Sequence, residues 1–177
     1  MLNDFYGNKL TTTTGLARDN YDVGLKAFLS ANYGAEEAFS LAVEADPNFS
    51  LAYAGLVRAH MSAGNLQAAA SALTTAKKML NGASEREKSH VHCFELYTSG
   101  KSKEARDAVY KHLLDWPRDA LVAQMNTSVF GLIGFSGQIG REKDLLDFTE
   151  ILLPHYGDDW WMMSMHAISL CETGQTL

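Results

Sequence analysis

Basic residues are in the minority in this chain, and proline and cysteine are rare. Fifteen lysines and arginines stand against 21 aspartates and glutamates, for a net charge of −6. A nucleic-acid surface needs a clustered basic face. The one adjacent basic pair, Lys77 and Lys78, reads as a solvated helix edge, so nucleic acid is not an expected partner. The two cysteines, Cys93 and Cys171, share no spacing motif, which excludes a disulfide framework and suggests a reducing compartment. The first residues carry Asp4 and no apolar run of signal-peptide length. The longest apolar cluster, "WWMMSMHAISL" from Trp160 to Leu170, is too short and too polar to cross a bilayer. A soluble cytoplasmic protein without a membrane partner is expected. Period-two alternation is missing too, so no strands are expected.

What is present is a ruler. The three prolines, Pro47, Pro117 and Pro154, are separated by 70 and 37 residues. Gly64, Gly100, Gly137 and Gly174 follow one another at 36, 37 and 37. A fixed period of this length is the mark of a helical repeat array. Each period carries helix-turn-helix contents. Ala69, Leu73 and Ala76 follow Gly64, and Ala105, Val109 and His112 follow Gly100; Ala35, Phe39 and Ala42 keep a similar spacing upstream. Small residues at the alanine positions let two helices approach, and the large residue between them fills the gap. Tyr53, Leu56 and His60 stand where the tetratricopeptide pattern has Trp, Leu and Tyr. "SERE" from Ser84 to Glu87 forms a capping box, and Asp158 and Asp159 suit a helix start.

These signals predict an all-α superhelix, a solenoid of tetratricopeptide-like pairs. Residues 1–18 form a leader or cap and 19–177 the repeat domain. Helix pairs are expected near 19–46, 48–81, 84–116 and 118–153, with a ninth helix from about Asp159.

The run "GLIGFSGQIG", Gly131 to Gly140, tests for phosphate chemistry. A phosphate loop needs G-x-x-x-x-G-K-[ST] and a dinucleotide fingerprint needs G-x-G-x-x-G after a strand. The intervals here are all three and neither Lys-Ser nor Lys-Thr follows, so both motifs fail. On a helix, Thr127, Gly131 and Gly134 fall at i, i+4 and i+7. A bare helical stripe is therefore expected, with Gly137 and Gly140 in the turn after it.

Other chemical readings are weaker still. In "HVHC", His90 and His92 point apart on a helix and make a poor metal pair. His92 falls at an inward repeat position, and His90 and Phe94 on the groove side. Cys171 and His166 lie on nearly opposite sides of a turn, and no G-x-S-x-G presents a serine. No catalytic residue, metal or cofactor is expected. Repeat register turns Arg58, His90, Phe94, Tyr97, Thr127, Gly131, Gly134, Phe135, Trp161 and Ser164 toward the concave side. Such a surface suits an extended peptide or a small organic ligand.

At this point the chain also resembles a family. "LTTTTGLARDNYDVGL", "NYGAEEAFSLAVEADPNFSLAYAGLVRA", "SEREKSHV", "WPRDALV", "FGLIGFSGQIGREKDL", "PHYGDDWW" and "MHAISLCETG" are similar, in order, to tetratricopeptide repeat protein 38 and its bacterial relatives. The resemblance implies helical repeats without an established activity, and brings no catalytic residue. It covers only the N-terminal part of such proteins. The helix left behind carries Trp160, Trp161, Met162, Met163, Met165, Ile168 and Leu170, which cover most of its circumference and require two neighbours. Either the sequence is a truncated piece, the favoured expectation, or another chain completes the stack, with self-association through Trp160, Trp161, Met162 and Met163.

The expected function is a binding or scaffolding module that takes a partner protein or peptide in its groove. The alternatives are a small-molecule binder or enzyme using the same groove, with His90, Asp158 or His166 as polar groups, and a structural half whose site lies in further repeats.

Overall fold

The computed structural model describes residues 2–175; Met1, Thr176 and Leu177, at the two ends of the expected segments, lie outside the described residues. Among those described, the protein is all-α, with nine helices and a single isolated antiparallel bridge between Asn3 and Lys9. The chain divides into two compact units, Met1–Gly100 and Lys101–Leu177.

The first unit holds α1 (Gly15–Leu29), α2 (Ala35–Ala45), α3 (Ser50–Ser62), α4 (Leu66–Lys78) and α5 (Glu85–Thr98). α1 packs on α2 and α3 on α4, and α5 lies against α3 and α4. The expected capping box at α5 forms: the Ser84 hydroxyl accepts from the Glu87 amide, and the Glu87 carboxylate accepts from the Ser84 amide. Close helix approach is achieved by two bare positions facing one ring. A Cβ at Gly24 would stand 2.7 Å from the Phe39 ring, and one at Gly55 2.4 Å from it. The fully buried Phe39 fills the gap between α1, α2 and α3, with the Tyr21 ring 5.7 Å away. Burying a phenylalanine side chain stabilises by roughly 1.5–3 kcal/mol.

The leader is ordered. Its backbone closes on itself through Leu10 N–H to Leu2 O and Asp4 N–H to Asn8 O, both 2.9 Å. It is then pinned along the unit by charged side chains. The Phe5 amide donates to Asp22 Oδ1 at 2.8 Å, Arg86 donates to the Lys9 carbonyl at 3.2 Å, Thr11 donates to Glu87 Oε1 and Thr12 to Asp46 Oδ2. Glu87 thus caps α5 with one oxygen and holds the leader with the other. α1 begins at Gly15 rather than near residue 19, because Thr14 already accepts from the Arg18 amide.

The second unit holds α6 (Ser102–Asp115), α7 (Ala120–Ala123), α8 (Arg141–Tyr156) and α9 (Trp160–Glu172). A buried pair, His112 Nε2 to Asp119 Oδ2 at 3.1 Å, ties the end of α6 to the start of α7. The helix expected to run on from residue 118 stops after four residues. Beyond Ala123 the bonds tighten to i−3, as from Met125 to Val122 and Asn126 to Ala123, and Ser128 turns left-handed at φ 65°. The chain then reverses, and the Leu132 amide donates to the Met125 carbonyl at 2.8 Å. Thr127, Gly131 and Gly134 therefore form no helical stripe. A Cβ at Gly131 would stand 2.2 Å from the Thr127 carbonyl oxygen, and one at Gly134 2.2 Å from that of Val129. These glycines are bare because the main chain folds against itself, with Met125 and Ile133 buried inside.

Two other features of the ruler have a structural meaning. Gly64, Gly100, Gly137 and Gly174 share left-handed φ values of 75°, 72°, 68° and 73°, so one turn geometry recurs at the repeat spacing. Pro154, expected at a helix boundary, lies inside α8, which continues to Tyr156.

Candidate functional site

Three helices of the first unit, α1, α3 and α5, supply one side chain each to a single cluster. Arg58 of α3 sits 5% exposed, with its guanidinium carbon 5.3 Å from the Phe28 ring centroid of α1 and 4.9 Å from that of Tyr97 of α5. Both rings are half-buried, so a cation lies beneath two partly accessible aromatic side chains. Burial pushes the Arg58 pKa down, and the Tyr97 side chain, hydrogen-bonded to it, opposes that. Arginine remains charged under such a shift, and each ring contact contributes about 0.5–2 kcal/mol. Two rings cover the planar ion, while its N–H edges lie in its own plane. This arrangement can present an aromatic surface backed by positive charge.

Phe28 was not among the expected residues. Its signal was available, since Phe28 and Arg58 each stand six residues before a left-handed glycine, Gly34 and Gly64. Of the remaining candidates in this unit, His90 and Phe94 are fully buried in contact with each other, ring centroids 4.7 Å apart. The register of "HVHC" is the reverse of the one expected: His90 is interior, and His92 is exposed with Nδ1 3.6 Å from Glu95.

The candidates of the second unit do not assemble into one surface. Thr127 is buried and donates to the Gln124 carbonyl at 3.1 Å. Gly131 is half-buried and Gly134 buried, its carbonyl accepting from Arg141 Nη1 at 2.6 Å. Trp161 is buried against Tyr156, with ring centroids 5.8 Å apart. Ser164 is exposed and donates to the Trp160 carbonyl. Phe135 is 71% exposed and meets the equally open Phe130 edge-on at 5.8 Å. On α9, Asp159 is the cap, accepting from the Trp161 and Met162 amides, while Asp158 is exposed. Trp161 and Met162 are core, which removes them from any contact surface; Trp160 and Met163 stay 42% and 50% exposed. Of the polar alternatives, His166 contacts the buried Thr149 hydroxyl at 3.2 Å.

A cavity of about 460 Å³ lies beside the leader, lined by Thr11, Thr12, Asp46, Asn48, Lys78 and Asn81 among others. None of these residues was expected from repeat register, because the leader that forms one wall has no counterpart in a repeat. Asp46 accepts from Thr12 with one oxygen and from the Asn48 amide with the other. Among the described residues no helix is long and apolar enough to cross a membrane. No family model, no curated protein and no solved structure matches this chain.

Proposed function

We propose that this protein is a tetratricopeptide-type repeat module, akin to the repeat protein 38 family, that binds an extended peptide of a partner protein. The working surface is the face where α1, α3 and α5 meet. One observation carries the reading. Phe28, Arg58 and Tyr97 come from α1, α3 and α5 and converge on one cluster, as the groove of a helix-pair array requires. The chemistry selects a segment that offers an aromatic or aliphatic side chain to the rings and negative charge to the arginine.

The test is selection from a displayed random-peptide library with wild-type protein. Enriched peptides are then measured against Tyr97→Ala and against an exposed control, Lys143→Ala, with circular dichroism matched among the three proteins. An aromatic, acidic consensus losing about tenfold in affinity with Tyr97→Ala alone, the scale of one contact worth about 1.4 kcal/mol, supports the reading. Peptides that bind both variants equally well, or no enrichment at all, sink it.

A second reading rests on the polar cavity beside the leader. Its volume falls within the roughly 300–1,000 Å³ of small-ligand sites, and its hydroxyl, amide and charged groups suit a small polar molecule. Native mass spectrometry of the purified protein distinguishes the two: a retained small mass lost in Asn81→Trp favours the cavity.

A further inference from the structure

The second unit contains a smaller cavity in which every polar side chain of the lining can donate a hydrogen bond, beside an apolar wall. It measures about 230 Å³ and is lined by Ser102, Lys103, Arg106, Leu132, Phe135, Ser136 and Gln138. Its charged residues are Lys103 and Arg106, so the lining holds two cations and no acid in a protein whose net charge is −6.

The bonds already made leave donors facing no partner. Gln138 Oε1 accepts from Arg106 Nη1 at 3.0 Å. Arginine can only donate, so this bond fixes the amide orientation and leaves the Gln138 NH2 as the other end. Ser136 Oγ accepts from the Gln138 amide at 3.3 Å, and its hydrogen remains to be given. Arg106 Nε comes no nearer than 3.9 Å to the exposed Asp107 carboxylate, and among the described residues no carboxylate pairs with Lys103, on the exposed first turn of α6. The first amides of α6 add to this, since Lys101 at the cap position contributes no side-chain bond. The open wall is apolar, formed by Phe135 at 71% exposure with Phe130 edge-on to it.

Hydroxyl, ammonium, guanidinium and amide donors beside an aromatic wall match one chemistry. We propose that this cavity binds a phosphoryl group carried on an aromatic ring. A phosphate dianion offers three acceptor oxygens and can satisfy donors from several side chains together, which a carboxylate with two oxygens does less well. The volume lies below the roughly 300 Å³ at which drug-sized sites begin, so the occupant is one aryl phosphate, either a free molecule or the side chain of a phosphotyrosyl peptide. The site is independent of the Arg58 cluster, and neither proposal falls with the other.

The experiment is an amide-resolved NMR titration of the full chain with phenyl phosphate, compared with inorganic phosphate and phenol. Saturable shifts at Ser102, Lys103, Ser136 and Gln138, with an affinity near ~1 mM as for a fragment, are expected. Inorganic phosphate should bind the same amides more weakly and phenol should leave them in place. Lys103→Gln, at an exposed position that leaves the fold intact, should weaken phenyl phosphate about tenfold, the loss expected for one charge-assisted bond. Phe135→Ala should bring phenyl phosphate down to the affinity of inorganic phosphate. A phosphotyrosyl tetrapeptide that binds more tightly than phenyl phosphate assigns the group to a polypeptide, and equal affinity assigns it to a free molecule. Absent shifts at these amides, phenol binding as well as phenyl phosphate, or unchanged affinity in Lys103→Gln overturns the proposal.

Discussion

Gly24 and Gly55 in the first unit, and Gly131 and Gly134 in the second, are bare for different reasons. In the first unit the missing Cβ makes room for a side chain, the Phe39 ring, at 2.7 and 2.4 Å. In the second it makes room for main-chain carbonyls, at 2.2 Å in both cases. A side chain can be exchanged for a smaller one, but a carbonyl belongs to every residue. The first pair of glycines therefore belongs to helix packing and can be compensated in sequence. The second belongs to a chain reversal and cannot.

The largest effect is expected from removing the shared ring. Phe39 is fully buried and spans three helices, so Phe39→Ala should lower unfolding free energy by about 3–5 kcal/mol in urea denaturation. A loss under ~1 kcal/mol would mean that the three helices collapse onto the vacated space, and the first half of the comparison would fail.

Next come the glycines themselves. Gly134→Ala should cost about 3 kcal/mol, at the upper end for overpacking, and Val129→Ala should rescue none of it, because the clash is with the Val129 main chain. Gly55→Ala should cost about 2 kcal/mol in wild type and markedly less in a Phe39→Leu background, a coupling that a double-mutant cycle reads directly. If Val129→Ala rescued Gly134→Ala, the two kinds of bareness would be one.

The same contrast explains what could be read from sequence. The period of 36–37 residues, the helix pairs of the first unit, the capping box at Ser84 and the turn glycines were all legible. They depend on local hydrogen bonding and spacing, which a single sequence records. The replacement of the seventh helix by a four-residue turn of helix was not legible. Thr127, Gly131 and Gly134 fit a helical stripe as well as they fit a reversal, and only the left-handed Ser128 decides between the two. Of the candidate site, Arg58 and Tyr97 do meet; Phe28, which stands as far before Gly34 as Arg58 does before Gly64, was missed. Thr127, Trp161 and His90 went inward: periodicity says which side of a helix a residue occupies, not how closely the next element covers it. The two cavities were invisible because one wall of the first comes from the leader and one wall of the second from the reversal, neither of which follows the period of the sequence.

The smallest effect concerns the leader, which belongs to the first unit without sharing its periodicity. Asp22 accepts the Phe5 amide at 2.8 Å and lies 3.9 Å from Arg18. Burial raises its pKa from 3.8 to about 6, helped by the charges of Asp4 and Asp19 and opposed by the Phe5 bond and by Arg18. A carboxyl whose pKa is raised on folding binds its proton more tightly in the folded state. Its contribution to stability is thus fully present below about pH 4 and is lost as pH rises through about 6. At neutral pH the folded protein carries an ionised group that it holds less well than the unfolded chain does. Asp22→Asn removes that charge and keeps an oxygen for the Phe5 amide. The variant should be more stable than wild type at pH 7 by about 1 kcal/mol, discounted for partial solvation, with the difference closing below about pH 4. Urea midpoints measured across that range decide it. A variant less stable at pH 7 would show that the carboxylate itself, through Arg18 and the Phe5 amide, is what holds the leader down.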